Sequence, residues 1–367
     1  MPSVRAFRNG AQISVHLSNR FITALIKLAI MGSVKDLIVI KEPKVDELGL
    51  GRFVFSDRYS VFDYGRMPDE IEGKGASLCM ISAFFFERLE EEGIKTHYIG
   101  LVEDGKVKRF DEIESPTNVM EIKLVRVLKP TKVNEHYDYS IFKKEKGNFL
   151  IPLEVIYRNA LPEGSSVFRR LERGEITLEQ LGLDHYPKPN ERLEKPILDV
   201  STKLEDRDRY LSWNEAKEIA NLSDEELEEI KSTTLKIDEI ITREVEKVGI
   251  TNDDGKIEFA FDADRNLMVV DAVGTPDECR FSFEGIQISK EVLRKWYRKT
   301  DWYKRIEESK DKPNWRELAG EPPKLPEDLL KAVSDMYKAC CNEITGKRLF
   351  DVDSLGEIVK RLRELLS

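Results

Sequence analysis

Apolar and polar positions alternate along Lys256–Phe261, with Ile257, Phe259 and Phe261 on one side and Lys256, Glu258 and Ala260 on the other. A second short run covers Leu267 to Asp271, so a β-hairpin closed by a polar turn is predicted. Pairing Asp262 with Leu267 would set Glu258 opposite Asp271, their Cβ atoms roughly 5 Å apart. A slip of one residue would send them to opposite faces. Facing carboxylates repel unless a cation lies between them, and Mg²⁺ takes one or two carboxylates together with phosphate oxygens. Lys256 shares the face of Glu258 and suits a phosphate. A solvated hairpin carries the same pattern, because one face of an antiparallel sheet is commonly wet.

Around this hairpin the patterning is mixed. Strand-like runs LIVI and RFVFSD begin at Leu37, and YIGLV, VMEIKLVRVLKP and NFLIPLEVIYRN follow between residues 98 and 159. Together they predict antiparallel sheet. Helices are expected from about Ala76 to Gly93, from Ser223 to Gly249, over SKEVLRKWYRKTDWYKRI, and from about Pro326 and Asp353. Ser212 with Glu215 and Ser223 with Glu226 have capping-box spacing. A chain of 367 residues can hold two domains.

Composition narrows the function classes. The chain has 59 basic against 69 acidic residues and a net charge of −10, which argues against a general nucleic-acid binder but allows a local basic pocket. Cysteines at 79, 279, 340 and 341 form no CxxC pair, consistent with a reduced, cytoplasmic chain without structural zinc. No apolar run reaches the ~18 residues of a membrane span. Residues 1–30 contain no Asp or Glu and carry Arg5, Arg8, Arg20 and Lys27. They read as an extension, a leader or a misplaced start ahead of a domain beginning at Met31.

Several loops are equipped for anions. Lys44, Gly49 and Gly51 punctuate the loop between the first two strands, and Lys74 and Gly75 stand at the expected helix N-terminus, where free N–H groups favour negative charge. Arg158, Arg169, Arg170 and the serines between them flank a Pro-Glu-Gly turn, and arginine forks suit phosphate and carboxylate. Lys203, Glu205 and Asp208 cluster in a further loop. Each of these is also compatible with ordinary solvated surface.

Taken in order, SDRYSVFD with EGKG, EVIYRNALPEGSSVFRRL, STKLEDRD, KIEF, DAVGTPDECR and EPPKLPEDLLKAVSDMYKACCNEITGKRLF resemble the SAICAR synthetase family of purine biosynthesis, over roughly Leu37 to Phe350. The resemblance implies an α+β, two-lobed fold of antiparallel sheets and flanking helices, akin to ATP-grasp and kinase-like proteins, with a β-rich ATP-covering lobe over 31–151 and a larger lobe over 152–367. It implies an ATP- and Mg²⁺-dependent ligase joining L-aspartate to carboxyaminoimidazole ribonucleotide (CAIR) through an acyl phosphate. Glu258 and Asp271 would hold the metal. Lys256 and Lys44 would face ATP, and Lys256 and Asp277 would be catalytic. Ser60, Asp63, Lys74, Gly75, Arg158, Ser165, Arg169, Lys203, Glu205, Asp208 and Arg280 would line the substrates. A homo-oligomer binding small molecules, without nucleic acid or membrane, is the expected context.

Two departures stand out. The family opens with a Gly-Lys turn and a further basic residue, for which Pro43-Lys44-Val45-Asp46 is the nearest text, and its Asp-Glu pair is Asp271-Ala272 here. Pro162 and Glu163 also lengthen the arginine-serine loop. A divergent paralogue, acting as a small-molecule kinase or a nucleotide-binding protein, is the alternative.

Overall fold

The computed structural model describes residues 28–32, 34–134 and 136–366; the leader expected over residues 1–30 falls outside it as far as residue 27. Two antiparallel sheets form the frame. The first begins with β1 (Leu28–Met31), β2 (Lys35–Lys41) and β3 (Gly49–Phe55), passes through helix α1 (Lys74–Glu91), and ends with β4 (Tyr98–Glu103), β5 (Lys106–Lys108) and β6 (Val119–Leu124). Its strand order is β1-β2-β3-β6-β4-β5. Because β1 already pairs with β2, the start expected at Met31 falls at the end of a strand.

A small hairpin, β7 (Thr131–Val133) and β8 (His136–Asp138), leads to the second sheet. There β9 (Phe149–Leu161) is followed by helices α2 (Ser166–Glu172) and α3 (Leu178–Leu181), β10 (Glu191–Thr202), and helices α4 (Trp213–Ala220) and α5 (Asp224–Glu246). Then come β11 (Thr251–Phe261), β12 (Leu267–Val270), β13 (Cys279–Phe283) and β14 (Ile286–Gln287). The order is β10-β9-β11-β13-β14, with β12 on β11. The lobe boundary expected at residue 151 lies inside β9, all of which belongs to this second sheet.

Helices α6 (Glu291–Tyr297), α7 (Asp301–Ser309), α8 (Trp315–Ala319), α9 (Glu327–Thr345) and α10 (Leu355–Leu366) complete the chain. Helix α5 carries the predicted capping box, and its apolar stripe, including Ile230, Ile237 and Ile241, is buried. Helix α1 is buried through most of its length, with Phe85 and Phe86 fully enclosed.

The sheets are stitched together by short main-chain pairings, one between Arg126 after β6 and the start of β9, the other nearer the carboxylates. His97 N–H donates to the Val269 carbonyl at 2.9 Å and Val269 N–H to that of Lys95 at 2.9 Å, a short parallel pairing between the segment before β4 and strand β12. Beside it, Lys35 at the head of β2 pairs with Asp271 just past the end of β12.

Candidate active site

Strand β11 pairs with β12 as Glu258 with Val270 and Phe261 with Leu267, one residue from the expected register. Strict alternation would then part Glu258 from Asp271. The chain avoids this because Asp271 leaves the strand with φ +70°, a conformation uncommon outside glycine, so pleat alternation no longer governs its side chain. His97 holds that turn: its Nε2 lies 3.1 Å from the Asp271 carbonyl oxygen. A carbonyl only accepts, so the proton is on Nε2. Burial keeps the ring neutral, lowering its pKa to about 3.

Glu258 is 4% exposed rather than solvated. Burial, and then the Asp271 charge, push its pKa up to about 7. Asp271 goes the other way. Burial works upward there too, but the charges of Lys35, Lys203 and Lys256 outweigh it and hold the carboxyl well below the usual range.

Three lysines thread these acids. Lys35 pairs with Asp271, its ammonium 4.8 Å from the Phe53 ring centre. Lys203 lies 2.5 Å from Glu258 and 3.3 Å from Glu154. Lys256 lies 3.0 Å from Glu154, 3.3 Å from Glu278 and 3.6 Å from Glu258. Among the described residues no three ligand-type side chains converge as a metal cage. Two carboxylates from adjoining strand ends, one of them poised near neutrality, nevertheless suit Mg²⁺, which draws its other ligands from phosphates and water.

Sequence reasoning missed Lys35. Lys44 was expected to reach the nucleotide, but it is exposed on the β2–β3 loop and pairs with Glu47 at 3.1 Å. The available signal was Gly32 followed by Lys35 at the head of β2, a glycine-then-basic pattern nine residues before Lys44. The acid absent at position 272 is not replaced in place, since Ala272 is buried and Gly274 touches the Phe85 ring. Glu278 brings a carboxylate to Lys256 from the turn before β13 instead.

Beyond Lys256 lies a cavity of about 180 Å³ lined by Arg158, Arg280, Lys290 and Arg294. Arg158 is buried and forks between Asp254 at 3.2 Å and Asp199 at 3.3 Å. Arg280 reaches Asp254 at 3.3 Å. Ser165, expected at the substrate, instead caps α2 by accepting the Val167 N–H. Its neighbour Ser166 faces the arginines, 2.7 Å from the Tyr210 hydroxyl and 3.3 Å from Arg158. Arg169 is exposed, whereas Arg170 is buried, paired with Asp199 and stacked 4.0 Å from the Tyr210 ring centre. A helix presents i and i+1 to different sides, so a cluster of arginines in sequence could not show which one turns inward.

The α1 N-terminus is already filled. Asp57 accepts the N–H groups of Gly73 at 3.1 Å and Gly75 at 2.9 Å, so this chain supplies its own anion there. A Cβ on Gly75 would sit 2.6 Å from the Phe55 carbonyl oxygen, which is why the helix can start only with glycine at this point. Lys74 is fully buried, 2.8 Å from Asp277, and Asp277 also accepts the Tyr337 hydroxyl at 2.7 Å. Burial raises the Asp277 pKa, but Lys74 outweighs it and brings it down to about 2. Lys74 and Asp277, expected at the substrate and in catalysis, pair with one another as a clamp between α1, the turn before β13 and α9, and Asp277 also lines the small cavity.

Ser60 is half-buried and Asp63 exposed on the loop before α1. Phe62 and Asp63 both have positive φ, 56° and 57°, and Arg316 grips the Asp63 carbonyl at 2.7 Å. On the facing loop Glu205 accepts the Tyr139 hydroxyl at 2.8 Å and is turned away from the lysines. Asp208 makes no hydrogen bond or ion pair among the described residues. Burial first, then Glu154 and more distantly Asp63, push its pKa up to about 6. A groove of about 1280 Å³ opens here, lined by Tyr137, Arg170, Asp199, Asp208, Tyr210 and Trp213.

The geometry therefore offers a buried carboxylate pair among lysines, an adjoining arginine-lined cavity, and an open groove. A model of the SAICAR synthetase family matches residues 29–309. An Archaeoglobus fulgidus protein, provisionally assigned as a phosphoribosylaminoimidazole-succinocarboxamide synthase, is 62% identical over 336 residues, spanning 92% of this chain and 100% of its own. The Thermoplasma acidophilum phosphoribosylaminoimidazole-succinocarboxamide synthase is 35% identical over 331 residues, spanning 88% of this chain and 99% of its own. Among solved structures, Saccharomyces cerevisiae SAICAR synthase complexed with SAICAR superposes with a TM-score of 0.60, at 22% identity, over 91% of this chain and 99% of that one, which shows a shared fold.

Proposed function

The chain belongs to the SAICAR synthetase family, and from that membership we propose how its residues divide the work of the reaction. It is an ATP-dependent ligase of purine biosynthesis that joins the amine of L-aspartate to the carboxylate of CAIR, giving SAICAR, ADP and phosphate. The observation that supports the residue assignment is the buried alternation of Lys35, Lys203 and Lys256 with Glu258 and Asp271. Phosphoryl transfer asks a protein for positioned cations and a metal more than for covalent chemistry.

Glu258 and Asp271 would hold Mg²⁺, which when bound draws charge from the nucleotide phosphates and the transferring group. Lys35 and Lys203 exchange their carboxylate partners for phosphate oxygens as the nucleotide enters. Lys256 lines both the lysine cluster and the arginine cavity, so it faces the seam between ATP and CAIR. Arg158 and Arg280 hold the ribonucleotide phosphate, and Ser166 and Tyr210 fix the Arg158 fork. Asp208 on the wall of the outer groove, with Asp63 on the loop before α1, supplies charge that suits the ammonium of aspartate.

The step sequence balances without a further reactant. A CAIR carboxylate oxygen takes the γ-phosphoryl group and ADP leaves. The amine nitrogen, having lost its proton, attacks the acyl carbon. The carbon–oxygen bond then breaks and phosphate departs with that oxygen. CAIR labelled with ¹⁸O in the carboxylate should therefore pass one labelled oxygen to inorganic phosphate, read by mass spectrometry. Unlabelled phosphate would contradict the acyl phosphate.

A cytoplasmic location and association with further copies of the chain complete this reading. No helix among the described residues is long and apolar enough to cross a membrane, and all four cysteines are free and buried, as a reducing compartment allows. Self-association is the default for an enzyme of this size.

A further inference from the structure

Five cations and four acids line the small cavity beyond Lys256. Four of those cations are satisfied inside the chain: Arg158 and Arg280 by Asp254, Lys256 by Glu154 and Glu278, and Arg294 by Glu291. Lys290 is the fifth. Among the described residues its ammonium has neither a hydrogen bond nor an ion pair. The acid that influences it most, Asp277, is already engaged by Lys74 at 2.8 Å and by the Tyr337 hydroxyl. Burial lowers the Lys290 pKa, with Arg294 and Lys256 adding to the effect.

An ammonium half-buried in the cavity wall without a partner of its own costs stability in the empty protein. Arg158 Nε is likewise buried without a hydrogen-bond acceptor, and Arg280 Nη1 has the Asp254 carboxylate at 3.3 Å without a hydrogen bond to it. These unmet donors belong to side chains that share one cavity too small for more than a compact anion.

We propose that Lys290 sets the preference of this cavity for a dianionic phosphate monoester, its ammonium answering the second negative charge of the ribonucleotide phosphate. The inference rests on the reading of this cavity as the ribonucleotide-phosphate site. Arg158 and Arg280 are already half neutralised by Asp254 and would serve a monoanion; Lys290 carries the charge left over. It touches the substrate and takes no part in bond making.

The test uses the full chain with Lys290→Met, measured with CAIR and with the monomethyl ester of its phosphate, which carries one charge less. KM for CAIR should rise about tenfold or more, as expected for a lost charge-assisted contact, with kcat little changed. The preference for CAIR over its methyl ester should shrink by the same factor, and Lys290→Arg should restore much of it. Without ligand, the Met variant should melt at or above the wild-type temperature, since it loses an unpaired cation. An unchanged preference between the two esters overturns the proposal, whatever happens to KM. Arg280→Gln separates the underlying reading: weaker binding of both esters keeps the cavity as the phosphate site, and unaltered binding of both removes that reading and the proposal together.

Discussion

Glu258→Gln is expected to lower kcat/KM by about a hundredfold or more while leaving the chain folded. Outer-shell partners of a metal alone are worth up to about that factor, and Glu258 is proposed as a direct ligand. The amide keeps the shape and can still accept from Lys203, which retains Glu154 at 3.3 Å. Stability should even favour the variant in alkaline buffer. The folded chain binds the Glu258 proton more tightly than the unfolded one, at about 7 against an ordinary 4.5, so the wild type loses stability as pH rises through that interval. The variant lacks this slope. Denaturant unfolding at pH 5 and pH 8 should show the difference between the two moving toward the variant, by on the order of 2 kcal/mol. Near-normal turnover would remove Glu258 from the metal site, and parallel pH dependences would remove its burial as the cause.

Lys74→Met should unfold the protein far more readily, by about 3–5 kcal/mol, because it leaves the buried Asp277 carboxylate without its cation. Lys74 is fully enclosed and contributes no contact to the lysine cluster. The double variant Lys74→Met/Asp277→Asn should be less destabilised than Lys74→Met alone, since both charges go together. The pH dependence has the opposite sign to that of Glu258. Asp277 is lowered to about 2 from 3.8, so the clamp stabilises above the ordinary value and its contribution is lost as pH falls through about 2. Lys74→Met should flatten that acid limb in an unfolding titration. Wild-type stability with lost CAIR binding would instead return Lys74 to the substrate rim.

Much of this was legible in the chain because period and caps are local. The α5 capping box, the antiparallel strands and the hairpin at Lys256 follow from spacing alone. The register was misread by one residue, yet the carboxylate pair survives, because Asp271 adopts a left-handed turn that alternation cannot express. What sequence could not give is partnership across distance. Lys35 reaches Asp271 over 236 positions, and Asp57 takes the helix N-terminus that Lys74 and Gly75 seemed to leave open for a ligand. Adjacent candidates were the other weak point. Choosing Ser166 over Ser165, or Arg170 over Arg169, needs the orientation of α2 against β10, which only packing decides.

ADP release by the purified protein with ATP and Mg²⁺, adding CAIR and L-aspartate singly and then together, tests the central claim most directly. Strong turnover only with both substrates is the predicted result, since the acyl phosphate is formed on one and discharged by the other. Equal ADP release with CAIR alone would make the protein a kinase on this fold, and silence in every combination, with ATP still bound, would contradict the ligase outright.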